Sequence, residues 1–254
     1  MNCGIFIVAR LGSQRLRAKH LQLAAGQPVL LHLIRRIRHA FAAPLAAGKA
    51  RVVITTSDEQ ENRVLNEIVG NEAEVFFGSV RNIPLRQWQA AQAGNFSEIV
   101  SVDGDDILCS TAGMLAVAEK LSAGGAYVQT TGLPFGMNSF GYSSEFLGNA
   151  VATSQSDTLE TGWGRIFQAR KPETIVFSRI PVDERLRFTL DYPADLKLFQ
   201  AVFESLGPAA SSATDEEIVR LVFDRELYHH NSSLAEEYWT NFRNQVEKEK
   251  TANS

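Results

Sequence analysis

Short runs of β-branched and aromatic residues alternate with stretches of helical periodicity through the first half of the chain, and this alternation constrains the fold more than any other feature. Strand candidates fall at 5–8, 51–55, 74–77, 99–102 and 127–131, with helical patterns over 28–41, 60–69, 84–94 and 111–122 between them. Strand, helix and strand in succession form a βαβ unit, whose crossover is right-handed when the strands are parallel. Repetition of that unit predicts an α/β fold: a three-layer αβα sandwich around a mixed, mainly parallel sheet.

After residue 131 the pattern changes. Gly, Pro, Phe, Met and Asn interrupt any helix from Gly132 to Tyr142, so this stretch reads as a loop or hairpin inserted over the sheet. Helical patterns follow near 143–153 and 158–169, and short strands near 174–178 and 187–190. A helix over 193–206 places Leu196, Phe199, Val202 and Phe203 on one stripe, with Pro193 in its first turn. An amphipathic helix over 215–223 comes next, then a polar one over 234–250 that frays into 251–254. The whole chain, 1–254, is expected to be one domain, with the insertion at about 132–170 serving as an acceptor lid or a dimer contact.

Composition narrows the function classes. A formal net charge of −4 argues against a nucleic-acid partner, since such surfaces concentrate uncompensated Lys and Arg. No apolar run approaches a membrane span and the N-terminus lacks a secretory signature, so no membrane partner and a cytoplasmic location are expected. Cys3 and Cys109 form no CxxC pair and suggest neither a disulfide nor a zinc site. Arg35, Arg36, Arg38 and His39 are read as the solvated face of a helix whose other face carries Leu30, Leu33, Ile34 and Ile37.

Three places carry chemistry. Residues 9–19, Ala-Arg-Leu-Gly-Ser-Gln-Arg-Leu-Arg-Ala-Lys, follow the first strand and gather Arg10, Arg15 and Lys19 around a Gly12-Ser13 bend. A bend with free N–H groups and several cations at a strand end suits a polyphosphate. Asp103, Gly104, Asp105 and Asp106 close a later strand; three carboxylates crowded together repel unless a cation offsets them, and Mg²⁺ suits one or two carboxylates completed by phosphate oxygens. Asp191 ends a third strand candidate just before Pro193, where it is also placed to cap the helix. The histidines, His20, His32, His39, His229 and His230, lack metal-ligand spacing and are read as structural or solvated. No Walker loop, nucleophile elbow or dinucleotide fingerprint is present.

These spots, in this order, resemble the cytidylyltransferases that activate acidic sugars, most closely the SpsF branch of spore coat polysaccharide biosynthesis, relatives of the CMP-Kdo and CMP-sialic acid synthetases. The family's opening A-R-[LM]-G-S-x-R-L-P-G-K is matched by Ala9, Arg10, Leu11, Gly12, Ser13, Arg15, Leu16 and Lys19. Its strand-end G-D-x-P is echoed by Gly104 and Asp105, and its late D-[TY]-P-x-D-L by Asp191, Tyr192, Pro193, Asp195 and Leu196. A middle motif, G-S-x-x-D-V-L-x-R, is met by Gly78, Ser79 and Arg86 only. Arg17, Ala18 and His20 replace the Pro-Gly and following Pro of the opening loop, Ile107 replaces a proline, and Asn82 stands where the family usually has Asp.

The resemblance implies a Rossmann-like, GT-A-like nucleotidyltransferase fold and a reaction in which a sugar hydroxyl attacks the α-phosphorus of CTP and expels pyrophosphate. Arg10, Arg15 and Lys19 would hold the triphosphate and the departing pyrophosphate. Ala9, Leu11, Gly12, Ser13, Ser79, Arg86 and Asp103 would bind nucleotide, and Asp105 and Asp191 would hold Mg²⁺. Pro134, Gly136 and Asn138 would meet the acceptor, an acidic sugar of Kdo-like or nonulosonic type, with Arg165, Arg170 and Arg179 as candidates for its carboxylate. A homodimer is implied as well. Another nucleoside triphosphate, or a non-catalytic nucleotide-sugar-binding paralogue, remains an alternative because the loop's Pro and Gly are lost.

Overall fold

Ile5 and Ile7 point to one face of the first strand and Phe6 to the other, and each face leads into its own hydrophobic layer. The computed structural model describes residues 2–13 and 15–252. Its strands are β1 (Cys3–Val8), β2 (Leu23–Ala24), β3 (Gln27–Pro28), β4 (Ala50–Ser57), β5 (Glu74–Gly78), β6 (Glu98–Asp103), β7 (Tyr127–Thr131), β8 (Phe140–Ser143) and β9 (Glu173–Val176). The α-helices are α1 (Val29–Ala40), α2 (Ala42–Ala46), α3 (Leu65–Val69), α4 (Ile83–Gly94), α5 (Thr111–Ser122), α6 (Ser144–Thr153), α7 (Pro193–Leu206), α8 (Asp215–Asp224) and α9 (Ala235–Ala252).

Seven strands form one sheet in the order β5-β4-β1-β6-β8-β7-β9, and β2 with β3 makes a small hairpin. All neighbours in the large sheet run parallel except β8, which is antiparallel to both β6 and β7. Leu30, Leu33 and Ile37 of α1, Met114 and Val117 of α5 and Phe199 and Phe203 of α7 pack with Ile5 and Ile7. Ala90 and Ala91 of α4 and Phe146 and Leu147 of α6 pack with Phe6 on the other face. The expected mixed, mainly parallel α/β sheet with a helical layer on each side is therefore observed.

This topology fixes where a site can form. The chain leaves β1 for β4 and β5 on one side and returns to β6 on the other, so Val8 stands in register between Thr55 and Asp103. Such a reversal opens a crevice at the carboxyl ends of the strands. Among the described residues, no helix is long and apolar enough to cross a membrane.

Several elements differ from expectation. The stretch after residue 131 does not lie over the sheet; it turns back as β8 and enters between β6 and β7. Gly141 permits that entry, since a Cβ there would stand 2.5 Å from the Ile99 carbonyl oxygen. The helix expected at 158–169 is only a 3₁₀ turn, Trp163–Phe167, because Gly162 takes φ 58° and Leu159 is bridged to Asn82. The 60–69 helix divides into a 3₁₀ turn (Gln60–Val64) and α3. Residues 187–190 are extended but join no sheet: Phe188 N–H donates to Phe135 O at 2.8 Å and Leu190 N–H to Asp105 O at 2.9 Å. Arg36 is not solvated: it is 1 % exposed and donates to the carbonyls of Ala210 and Ala213. Thr251 and Ala252 continue α9, and the remaining residues of the expected frayed end, 253 and 254, lie outside the described residues.

Candidate active site

The loop leaving β1 is pinned between Arg10 and Arg15. Leu11 N–H donates to Asn62 Oδ1 at 2.9 Å, and Asn62, fully buried, donates in turn to the carbonyl (3.0 Å) and hydroxyl (2.8 Å) of Ser57. Ser13 N–H donates to Leu11 O at 2.9 Å, so the amides of Leu11 and Ser13 serve the loop itself and not a ligand. The loop ends in a left-handed residue, Ala18, at φ 47° and ψ 42°. That turn starts the short 3₁₀ segment Lys19–Leu21 and points Lys19 inward, where the residue is only 8 % exposed.

Lys19 joins two acidic segments, one just after β6 and one just before α7. Its Nζ donates to Asp105 Oδ2 at 2.5 Å and to Asp191 Oδ1 at 3.2 Å. Arg15 donates to the same Asp191 Oδ1 at 2.7 Å, and Arg187 donates to Asp191 Oδ2 at 3.0 Å. Arg187 also grips Asp195, at 3.0 and 3.3 Å, while Asp195 accepts the backbone N–H groups of Asp191 and Tyr192 at 2.9 Å each. Asn231 completes this buried set by donating to Asp195 Oδ1 at 2.8 Å. Asp191 is thus held in place by charge from Arg187 behind it and offered to Lys19 and Arg15 in front.

His20 belongs here too. Its Nδ1 lies 3.0 Å from the Arg10 carbonyl oxygen and its Nε2 3.0 Å from Asp105 Oδ1, so the ring ties the cationic loop to the acidic strand end. Burial alone would raise the Asp105 carboxyl, but Lys19 and His20 outweigh it and hold it well below the usual carboxylate range. Its neighbours show the opposite balance. Burial, then repulsion from Asp105, pushes Asp103 up to about 6, although the Trp163 indole N–H donates to its Oδ1 at 3.2 Å. Burial with repulsion from Asp103 and Asp105 raises Asp106 well above the usual carboxylate range. Burial also raises Glu160, whose Oε1 accepts from Arg10 at 2.8 Å.

These groups line a cavity of about 550 Å³. Of the residues singled out from the sequence, Arg10, Gly12, Ser13, Arg15, Lys19, Arg86, Asp103, Asp105 and Asp191 meet there. Ala9 and Leu11 do not, being buried in the core, and Ser79 lies apart, its N–H donating to Gln89 at 3.1 Å and its carbonyl accepting Arg86 Nε at 2.8 Å. Pro134 and Gly136 also stay out of the cavity; Gly136, at φ 87°, packs on the Phe188 backbone, and only Phe135 of that turn reaches the opening. Asn138 lines a separate recess of about 150 Å³ with Gln129 and Thr130. Arg165 is taken by Glu249 at 2.8 Å and Arg170 lies over the Phe146 ring, and none of the three carboxylate candidates lines the cavity.

Sequence reasoning missed His20, Glu160 and Thr189, all on the cavity wall, and the supporting Arg187; Asp106, the third carboxylate of the acidic strand end, lines the cavity as well. It also missed Tyr238, Phe242 and Gln245 of α9. The spacing Arg187, Asp191, Asp195 was a usable signal, four residues apart each time. Nothing local marked α9, because its partners lie far back along the chain.

Comparisons with known proteins agree with the fold. A Cytidylyltransferase family profile matches residues 5–155. The 3-deoxy-manno-octulosonate cytidylyltransferase 2 of Hydrogenovibrio crunogenus is 33 % identical over 130 residues, 48 % of each chain. A 3-deoxy-manno-octulosonate cytidylyltransferase of Stenotrophomonas maltophilia K279a is 25 % identical over 182 residues, 70 % of this chain and 61 % of that protein. The chain thus spans between about half and three-fifths of the length of these curated relatives. Among solved structures, a cytidylyltransferase from Leptospira borgpetersenii superposes with a TM-score of 0.78 at 18 % identity, covering 91 % of this chain and 98 % of that one. A CMP:2-keto-3-deoxy-manno-octonic acid synthetase complexed with CTP gives a TM-score of 0.59 at 14 % identity, covering 81 % and 99 %. With the family profile spanning more than half of its residues, from β1 through α6, this chain belongs to the cytidylyltransferase family.

Proposed function

We propose that this protein transfers a cytidylyl group from CTP to a hydroxyl of an acidic sugar, Kdo-like or nonulosonic, releasing pyrophosphate. The observation that carries the reading is the convergence of Asp105 and Asp191 on the Lys19 ammonium, at 2.5 and 3.2 Å, beside Arg10 and Arg15 in one cavity. The names of the curated relatives support the choice of nucleotide and acceptor.

In this reaction the hydroxyl oxygen bonds to the α-phosphorus, the bond from that phosphorus to the bridging oxygen breaks, the hydroxyl proton passes to solvent water, and pyrophosphate carries away the negative charge. Such chemistry asks the protein for position and charge neutralisation more than for covalent work. Arg10 exchanges Glu160 for phosphate oxygens, and Arg15 and Lys19 neutralise the departing pyrophosphate. Gly12, at the exposed bend, lets the nucleotide approach the loop closely. Asp103 and Arg86 flank the space left for ribose and base.

The residues fit a magnesium ion. Lys19 is a cation already standing at the point that Asp105 and Asp191 share, and two carboxylates with phosphate oxygens and water form the usual Mg²⁺ shell. No group of three or more His, Cys, Asp or Glu is arranged to hold a metal among the described residues, so the protein would supply only those two ligands. Bound there, Mg²⁺ would neutralise and orient the triphosphate. We also assign the reaction to a homodimer, which the family resemblance supports, with residues 1–254 as one nucleotidyltransferase domain in the cytoplasm.

A thermal-shift screen of CTP, UTP, GTP and ATP, each with and without Mg²⁺, tests the reading, because a ligand bound only by the native state raises the melting temperature. The expected result is a shift with CTP that depends on Mg²⁺, followed by pyrophosphate release when Kdo or N-acetylneuraminic acid is added. No shift with any nucleotide overturns it.

A further inference from the structure

The family profile ends at residue 155, yet the cavity does not. Its outer wall comes from α9, some eighty residues further on. Tyr238, Phe242 and Gln245 all line the cavity, and Glu249 follows at the next helical step, so the four lie at i, i+4, i+7 and i+11 on one stripe. Glu249 fastens that stripe to the segment on either side of Trp163: its Oε1 accepts the Thr161 N–H and its Oε2 accepts Arg165, each at 2.8 Å. Asn241 fastens it to the other side by donating to the Tyr192 hydroxyl at 2.9 Å. Gly162 gives the helix room, because a Cβ there would stand 2.9 Å from Phe242.

The stripe carries a particular chemistry. Arg10, Arg15 and Lys19 supply the cavity's phosphate-binding charge, Arg15 lying 6.0 Å from the Tyr238 ring, whereas the α9 residues that line it are two aromatic rings and one amide. Trp163 adds a further ring, buried to 5 % exposure and turned into the same cavity. Aromatic faces beside a neutral hydrogen-bonding amide suit a pyranose-like polyol, whose C–H face stacks while its hydroxyls find polar partners. Gln245 is exposed and makes no contribution to the core, so packing does not account for an amide at this position.

We propose that α9 is the specificity-determining wall of the acceptor subsite, with Tyr238 and Phe242 stacking against the sugar ring and Gln245 hydrogen-bonding a ring hydroxyl. The inference rests on the cytidylyl-transfer reading above and assigns the sugar side of that reaction to a segment outside the profile match.

The test measures pyrophosphate release by the full chain with Mg²⁺–CTP and a panel of 3-deoxy-2-ulosonic acids, Kdo and N-acetylneuraminic acid among them, alongside CTP affinity by calorimetry. For Gln245→Ala and Phe242→Leu, the acceptor KM is expected to rise about tenfold, the size of one lost hydrogen bond or ring contact, with CTP affinity kept within about twofold. Gln245 lies on the surface, so its variant keeps the fold even if Phe242→Leu does not. Unchanged acceptor KM in Gln245→Ala, or an equal loss of CTP affinity, overturns the inference and leaves cytidylyl transfer standing. CTP binding without turnover of any acceptor by the unaltered chain removes the reading and the inference with it.

Discussion

Replacing Ala18 with glycine is expected to stabilise the protein, although glycine ordinarily weakens a chain. Ala18 sits at φ 47° and ψ 42°, in the left-handed region, and its carbonyl accepts Leu21 N–H at 2.8 Å to close the turn that presents Lys19. An L-residue pays roughly 1–2 kcal/mol to adopt this conformation. Glycine removes that cost and adds about 0.4–1 kcal/mol of unfolded-state entropy. The net gain is about 0.5–1 kcal/mol, which for a chain of this length raises Tm by about 1–4 °C. Ala18→Val, with a branched Cβ in the same turn, should lower stability by at least about 1 kcal/mol. Urea melts of the three proteins in Mg²⁺-free buffer decide the matter. A destabilised glycine variant would show that the fold does not require the left-handed turn, and the account of how Lys19 is aimed would fail with it.

Asp105→Asn should cut Mg²⁺-dependent pyrophosphate release by about 10²–10³-fold, as loss of one preorganised charge at a reacting phosphate does, and full activity would remove its metal role. Arg187→Met leaves Asp191 and Asp195 facing each other without the guanidinium between them; a loss of about 3–5 kcal/mol in urea unfolding is expected, and a loss under about 1 kcal/mol would refute the charge-holding role. Gly136→Ala should cost about 2–4 kcal/mol, because the new Cβ would stand 2.4 Å from the Phe188 carbonyl oxygen at φ 87°; an unchanged melt would contradict the packing described. Asp103→Asn should depend on pH: folding lifts this carboxyl from 3.8 to about 6, so it costs nothing below pH 4 and destabilises increasingly as pH rises through 6. With EDTA present, the variant should therefore gain at most about 3 kcal/mol at pH 8 and nothing near pH 3.5, and a gain at both would exclude titration as the cause.

The parts of the fold that were legible are those whose burial is written locally. β1, β4 and β6 are buried strands, β5 and β7 are half-buried, and helices stand between them in the chain, so their apolar runs and the intervening periodicity name them without knowledge of partners. β8 was not legible as a strand inside the sheet. Its Phe-Gly-Tyr-Ser reads as turn composition, and its place depends on Gly141 passing close to Ile99 and on Tyr142 bonding to Gln87 of α4. Residues 187–190 fail in the other direction: Arg-Phe-Thr-Leu alternates like a strand, and the backbone is extended, but the carbonyls that meet it belong to single residues, Phe135 and Asp105, and not to a neighbouring strand. Local sequence specifies extension; the supply of partners is a tertiary fact.

The site divides along the same line. Lys19 and Asp191 stand 172 residues apart, yet both are legible in the sequence, because opposite charges crowded at the ends of extended runs have a physical reason to meet. His20 was passed over although it adjoins Lys19, since one imidazole without metal spacing carries no local sign of the Asp105 carboxylate it faces. α9 is the sharper case. Its residues are mostly charged or polar, and a solvated helix has no use for Tyr238, Phe242 and Val246 on one side. That stripe was itself a signal: an aromatic face on a polar helix must cover something, and in a chain whose earlier elements already enclose a core, what remains to be covered is the mouth of the crevice.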